Sequence, residues 1–333
     1  MNETPPCAAC YLCHGPGTVL YEGLVDRLFD VPGTWNIKRC QNPGCGLLWL
    51  DPVPANLSEA YETYYTHQNS PKHAGSDTTF SARFRWFVKF GAFPGANHRG
   101  DPVGVLSGFL GHMTGFVFPT LTSCLPSLNQ GKLLDVGCGD GDLVLAMQDY
   151  GWRTQGVDLD PAAVEFARQR GADVRLGLLS EQHYESDTFD CIVMSHAIEH
   201  VADPVGILRE CYRILKPGGR LVLATPNIDG QFHGKFRQHW VHLDPPRHLY
   251  LFGPRTLSEA VRRAGFQKQR SFTVLGAPFA YRASEQIRRS GRFRAGGARN
   301  RLGMRDIVMM AIELVTIKCG RARGEELRLT AEK

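Results

Sequence analysis

Five short apolar runs, each followed by a stretch of helix length, organise the middle of the chain. They fall at 132–136, 154–158, 173–177, 189–194 and 220–225. That alternation predicts parallel strands joined by right-handed helical crossovers, an α/β architecture. "LKPGG" predicts the end of the helix before the fifth strand, with Gly218 and Gly219 as its stop signal. A helix over 255–265 and a sixth strand in "QKQRSFTVLG" follow, and "EELRLTAEK" at the end alternates in period two, as a last strand does. Residues 277–322 then become a helical insertion before that strand. Within it an arginine-rich piece, "YRASEQIRRSGRFRAGGARNR", precedes "MRDIVMMAIELVTIK", which is apolar almost all round and too short to span a bilayer. Such a helix packs on its own domain, on a second copy of the chain, or on a membrane surface presenting a lipid-linked substrate.

Ahead of the first parallel strand the pattern differs. Residues 55–130 are rich in aromatics ("YETYYTH", "FSARFRWFVKF") and read as a helical link that also caps the sheet. The window "GFLGHMTGFVFPTLTSCL" is interrupted by His112 and Pro119, so it reads as packed helices rather than a membrane span. The 333 residues suffice for one large core with a small satellite, and a net charge of +5 does not by itself argue for nucleic acid. "MNETPPCAAC" has neither a basic region nor an apolar core of the export type, which leads to the expectation of a cytoplasmic protein. In that compartment ten cysteines serve as thiols or metal ligands rather than disulfides.

Four of those cysteines pair by spacing. Cys10-x2-Cys13 is followed after 26 residues by Cys40-x4-Cys45, and Gly15 and Gly46 close behind permit turns that aim backbone N–H groups at sulfur. Two such pairs supply the four thiolates of a tetrahedral zinc site, with a structural rather than catalytic role because no coordination position stays open. "TVLYEGLVDRLF" and "TWNIKRC" between them predict short strands, so residues 1–54 read as a zinc-ribbon-like module. Cys7 and His14 are alternative ligands. A ferredoxin-type cluster would need a cysteine at 17, which is Gly17.

The turn after the first strand, "KLLDVGCGDGDLVLAM", has the spacing Gly137-x-Gly139-x-Gly141. It lacks the Lys-Ser/Thr of a triphosphate loop and departs from the G-x-G-x-x-G dinucleotide pattern. Asp135 and the acidic "GDGD" corner suit a cationic ligand such as S-adenosylmethionine (SAM), and Asp158 at the end of the second strand is placed to accept both ribose hydroxyls. "LLDVGCGDGD", "GVDLDP", "FDCIVMSHAIEHVADP", "ILKPGGRLVLATPN" and "RHLYLFGPRTLSEAVRRAGF" together resemble, in order and spacing, the motifs of class I SAM-dependent methyltransferases over roughly residues 130–275. The whole layout is similar to bacterial methyltransferases with an amino-terminal zinc-binding module, some of which act on sugars or natural-product intermediates.

The resemblance implies a Rossmann-like seven-stranded sheet in 131–333, closed by an antiparallel last strand. It also implies a SAM site formed by Asp135, Gly137, Cys138, Gly139, Gly141, Asp158, Leu159, Leu179 and Ser195. The usual acidic contact to adenine is missing: "LGLLSE" offers Leu178 and Leu179, with Glu181 slightly late.

Ligands of open α/β sheets sit at the carboxyl ends of strands, so "SHAIEH" after the fourth strand brings His196, Glu199 and His200 near the cofactor. His239, His242 and His248 follow the fifth strand. His200, His196 and His248 are the candidate bases. Asp244 and Arg247 in "LDPPRH" either pair to shape their loop or bind a substrate anion. The expected substrate is small or linked to a lipid or nucleotide carrier, with a saccharide foremost. The rival is a zinc-ribbon RNA methyltransferase, whose N/D-P-P-Y/F motif would stand where "SHAIEH" does; nucleic acid is therefore disfavoured.

Overall fold

The computed structural model describes residues 9–54, 124–125, 131–275, 278–293, parts of 308–320, and 323–333. Cys7, the expected link over 55–130 apart from Cys124 and Leu125, and the arginine-rich piece beyond residue 293 lie outside them.

Seven strands make the main sheet: β4 (Lys132–Val136), β5 (Arg153–Asp158), β6 (Val174–Leu176), β7 (Phe189–Ser195), β8 (Leu215–Pro226), β10 (Lys268–Val274) and β11 (Glu326–Glu332). Their order is β10-β11-β8-β7-β4-β5-β6, with β11 antiparallel to both neighbours and the pairings among β6, β5, β4, β7 and β8 parallel. This is the Rossmann-like sheet expected, and the closing strand is "EELRLTAEK". The chain winds outward from β4 to β6 and then in the other direction from β7, so a crevice opens beyond the carboxyl ends of β4 and β7.

Local chemistry sets the helix starts. In α1 (Asp142–Asp149) the left-handed Gly141 is the cap, while Asp160 caps α2 (Pro161–Gln169) by accepting from Ala162 N–H at 2.9 Å. Asp203 likewise caps α3 (Pro204–Ile214), and Pro161 and Pro204 fill first-turn positions that have no N–H to satisfy. The expected helix stop at Gly218 comes earlier. Pro217 disfavours helical backbone before it, α3 ends at Ile214, and "LKPGG" is already part of β8. The third parallel strand is shorter than expected, as Gly177 turns away at φ +118°.

A second, four-stranded sheet has the order β1 (Gly17–Leu24), β2 (Trp35–Cys40), β3 (Leu48–Asp51) and β9 (Tyr250–Leu251). Its first two strands fall in "TVLYEGLVDRLF" and "TWNIKRC", where strands are expected, while β3 lies beyond both stretches. The fourth, β9, comes from the main domain after β8, pairing Leu251 with Leu48 and Tyr250 with Trp49. Behind this sheet Leu24, Trp35, Ile37 and Leu50 share one core with Phe236 and Trp240 of the segment after β8, where a short helix α4 (Gln231–Phe236) begins. One fully buried aromatic ring removes roughly 150–250 Å² from water, worth at most about 4–6 kcal/mol, so this shared core binds the module firmly to the main domain.

Residues 254–263 form α5 (Pro254–Arg263), against the 255–265 expected. The insertion begins with α6 (Pro278–Ser290), whose Ala280, Ala283 and Ile287 join the shared core. Farther on, Val308, Ile312 and Val315 are exposed at helical spacing, while Glu313 is buried. No helix among the described residues is long and apolar enough to cross a membrane.

Candidate functional site

The glycine turn after β4 is held open by its own backbone. Gly137, Gly139 and Gly141 all have left-handed φ angles, of +76°, +53° and +76°. A Cβ on Gly137 would meet Ala197 at 2.7 Å, and one on Gly141 would meet Ala167 at 2.9 Å, so both glycines let neighbours approach. At Gly139 a Cβ would meet nothing within 4 Å; this glycine faces space where a ligand can sit.

Asp158 pins that turn, accepting from Gly139 N–H at 2.7 Å through Oδ2 and from Asp160 N–H at 2.9 Å through Oδ1. A carboxylate has about four lone-pair sites, so acceptor capacity remains for ribose hydroxyls. Burial raises the Asp158 pKa, while those backbone donors oppose the rise. Asp135 is buried at the end of β4. Cys138 is buried against Gly156, and burial, reinforced by Asp135 and Asp158, drives its thiol far up, so it remains protonated.

Asp158 and Leu176 are paired across β5 and β6, which places Leu159 and Leu178 just beyond adjacent strand ends. Both are exposed, at 62% and 48%, and form apolar walls fit for an adenine ring. Leu179, expected on the cofactor, instead turns its side chain into the main core. Glu181 accepts from Leu178 N–H at 2.8 Å, so the acid near this strand end caps a turn.

Across the crevice the histidines gather. Ser195 ends β7, and the loop after it packs Ala197 against Gly137. His196 lies 3.4 Å from Glu199 and 3.3 Å from Glu326. Burial works to lower its pKa, but these two carboxylates hold it well above the ordinary value. A ring kept protonated is poorly suited to be the base expected of His196.

His200 donates Nδ1–H to Arg247 C=O at 3.1 Å, and His248 donates Nδ1–H to His242 C=O at 2.7 Å; carbonyls only accept, which fixes both tautomers. The two rings meet edge to face with centroids 4.6 Å apart. Burial, then the neighbouring His248, pushes His200 down to about 4. Burial also lowers His242, to about 3, with His196 and His248 adding. Glu199 is fully buried. Burial works to raise its carboxyl, but His196, then His200 and His248, hold it at about 2. His239 stands apart, 3.2 Å from Arg27.

Arg247 resolves the question posed by "LDPPRH". Its guanidinium is fully buried, bonded to Asp244 and to both oxygens of Asp26 at 2.8 and 2.9 Å. The pair shapes the loop and does not offer itself to a substrate anion. Asp26, from the module, was not legible as part of this site, since nothing in "LVDRLF" marks it.

In the module, Cys10 and Cys45 have sulfurs 3.7 Å apart, and Cys13 and Cys40 3.3 Å; all four sulfurs lie within 4.8 Å of one another. Four thiolates about 2.3 Å from a tetrahedral zinc would be about 3.8 Å apart. Cys10 Sγ accepts from the N–H groups of Leu12 and Cys13, and Cys13 Sγ from that of Gly15. The cysteines thus converge as their spacing predicts, without His14.

Residues 109–271 match a family model described as a methyltransferase domain. A ubiquinone biosynthesis O-methyltransferase from Xanthomonas oryzae is 39% identical over 103 residues, 29% of this chain and 43% of that protein. Another of that name, from Alkalilimnicola ehrlichii, is 32% identical over 114 residues, 32% of this chain and 46% of that protein. The chain thus spans less than half the length of these curated relatives. A crystal structure of a SAM-dependent methyltransferase from Mesorhizobium loti is 19% identical with a TM-score of 0.46, covering 65% of this chain and 96% of that one. With the strand order, the glycine turn and the matched family model in hand, the chain contains a class I SAM-dependent methyltransferase domain.

Proposed function

We propose that the chain transfers the methyl group of SAM to a hydroxyl of a small or carrier-linked molecule, a saccharide intermediate of surface-polysaccharide or natural-product biosynthesis. The observation that carries the SAM reading is the glycine turn, pinned by Asp158 at 2.7 Å with open space at Gly139. SAM supplies a methyl already activated on a sulfonium. This chain's residues then have to bind, orient and exclude water. Asp158 holds the ribose, Leu159 and Leu178 flank the adenine, and Asp135 provides negative charge near the cationic end.

The acceptor lies across the crevice, beside Ser195 and the loop of His196, Glu199, His200 and His248. Support for oxygen as the methylated atom comes from the relatives named as O-methyltransferases, and hydroxyls are also what a saccharide offers. Cys10, Cys13, Cys40 and Cys45 hold a structural zinc ion, a reading supported by the sulfur spacing and the backbone N–H donors around it. The reaction takes place in the cytoplasm, and a carrier-linked acceptor would bring the enzyme to the membrane surface without a span.

The test is methyl transfer from radiolabelled SAM into host extract separated into RNA, lipid-linked glycans and soluble small molecules. Label in an alkali-stable methyl ether of the glycan or small-molecule fraction is expected. Label in RNA overturns the acceptor assignment, and no SAM binding at all overturns the activity.

A further inference from the structure

We propose that Glu199, His200 and His248 form a second metal site, for one divalent first-row transition ion, distinct from the four cysteines. One donor atom from each of the three residues lies within 4.8 Å of the others. With both Nδ1–H groups committed to carbonyls, a neutral ring at either position carries its lone pair on Nε2. Glu199 Oε2 accepts from Thr225 Oγ1–H at 2.9 Å, while Oε1, fully buried, has no hydrogen-bond partner; His196 Nδ1 stands 3.4 Å from it.

Two imidazoles and a carboxylate gathered this closely make the donor set of a divalent cation, which would take over from His196 the neutralisation of Glu199. Imidazole with carboxylate suits zinc, iron(II) or manganese(II). Donors about 2.0–2.2 Å from such an ion stand roughly 3.0–3.5 Å apart.

The surroundings are those of a built site. Metal-binding histidines characteristically donate their other ring N–H to a carbonyl or carboxylate, and both do so here. The carbonyl holding His200 belongs to Arg247, itself clamped by Asp26 and Asp244. Asp244 Oδ2 is 3.9 Å from His248 Nε2. Three protein ligands leave coordination positions open, as catalytic rather than structural sites do. The ligand loop also carries Ala197, which packs on the SAM-binding turn.

The role of the ion rests on the proposed function. An acceptor hydroxyl bound to it loses its proton to solvent more readily. Its oxygen then forms the O–C bond as the S–C bond of SAM breaks, giving a methyl ether and S-adenosylhomocysteine.

Manganese(II) is the discriminating probe, because thiolate sites do not favour it. The full-length protein, with its cysteine site zinc-loaded, is titrated with Mn2+ and the free-ion paramagnetic resonance signal is followed. One Mn2+ per chain is expected, with affinity lowered at least tenfold in Glu199→Gln and His248→Ala and unchanged in His239→Ala. No binding to wild type, or binding retained in both ligand variants, overturns the site. Should those variants fail to fold, line broadening by Mn2+ in the wild type decides: the His200 and His248 ring resonances must broaden before that of His239. SAM affinity measured on the same sample separates the two claims. Mn2+ binding without SAM binding leaves the metal site and removes the function, and SAM binding without Mn2+ binding does the reverse.

Discussion

Replacing Asp26 with Asn tests whether the module holds the site loop in place. Asp26 makes two bonds to Arg247, at 2.8 and 2.9 Å, and its oxygens also accept the backbone N–H groups of Leu28, Phe29 and Val31. An asparagine keeps one acceptor oxygen but removes the charge. Breaking a fully buried ion pair from one side costs about 3–5 kcal/mol, since the partner stays buried and unpaired. Asp244 still partly neutralises Arg247, so the lower end applies, about 3 kcal/mol. The assay is urea denaturation followed by fluorescence of the buried Trp35, Trp49 and Trp240. SAM affinity should remain within about twofold because the glycine turn is remote from this contact. A loss below about 1 kcal/mol would refute the reasoning. So would strict additivity with Asp244→Asn, because two carboxylates on one guanidinium must couple.

Asp158→Ala should weaken SAM binding sharply by calorimetry, and unchanged affinity would remove the residue from the cofactor site. Gly139→Ala should cost about 1 kcal/mol of backbone strain yet largely abolish SAM binding, whereas Gly141→Ala, facing Ala167 at 2.9 Å, should chiefly lower thermal stability. Cys10→Ser with Cys13→Ser should lower stability by several kcal/mol or prevent folding; a stable, metal-free double variant would exclude structural zinc. Glu325 gives a pH signature. Burial pushes its carboxyl up to about 8, against donors from Phe232 and Trp240 and with Glu313 adding, so the folded state keeps the proton longer than the unfolded one. Stability is then full below about 4.5 and lost as pH rises through 8, by at most about 5 kcal/mol. Glu325→Gln should flatten that decline, and an unchanged pH profile in the variant would show that Glu325 is not its source.

The sheet was legible because its signals are local. Each parallel strand is an apolar run, and the closing strand alternates where one face is shielded. The glycine turn and the strand-end acid that pins it were legible because they must stand at fixed spacings. Leu179 was misplaced because neighbouring leucines look alike in sequence, and only the short turn capped by Glu181 decides which of them faces the core. The histidines were legible as a group, but their states were not. Whether His196 is held protonated depends in part on Glu326, 130 residues away in the chain, and the tautomer of His200 is set by a carbonyl of a loop from another strand end. Asp26 carried no signal at all, since a buried partner for Arg247 can come from anywhere.

That last point bears on how the loop after β8 is ordered. The segment from Asn227 to Leu249 carries His242, Asp244, Arg247 and His248, and as a long polar connection it has too little apolar surface to order itself. In this chain it is ordered from outside: β9 ends it by pairing with β3, Trp240 and Phe236 enter the core of the module, and Arg247 is locked by Asp26. On the proposed function, the module is then one wall of the acceptor site. Loss of metal from its four cysteines should reach the histidines through β3 and Arg247, even though no cysteine touches a reacting atom. Chelation that empties the cysteine site should accordingly reduce methyl transfer while leaving the SAM-binding turn, built wholly from β4, β5 and their loops, competent to bind. Loss of SAM affinity in step with activity would mean that the module supports the whole domain rather than this wall.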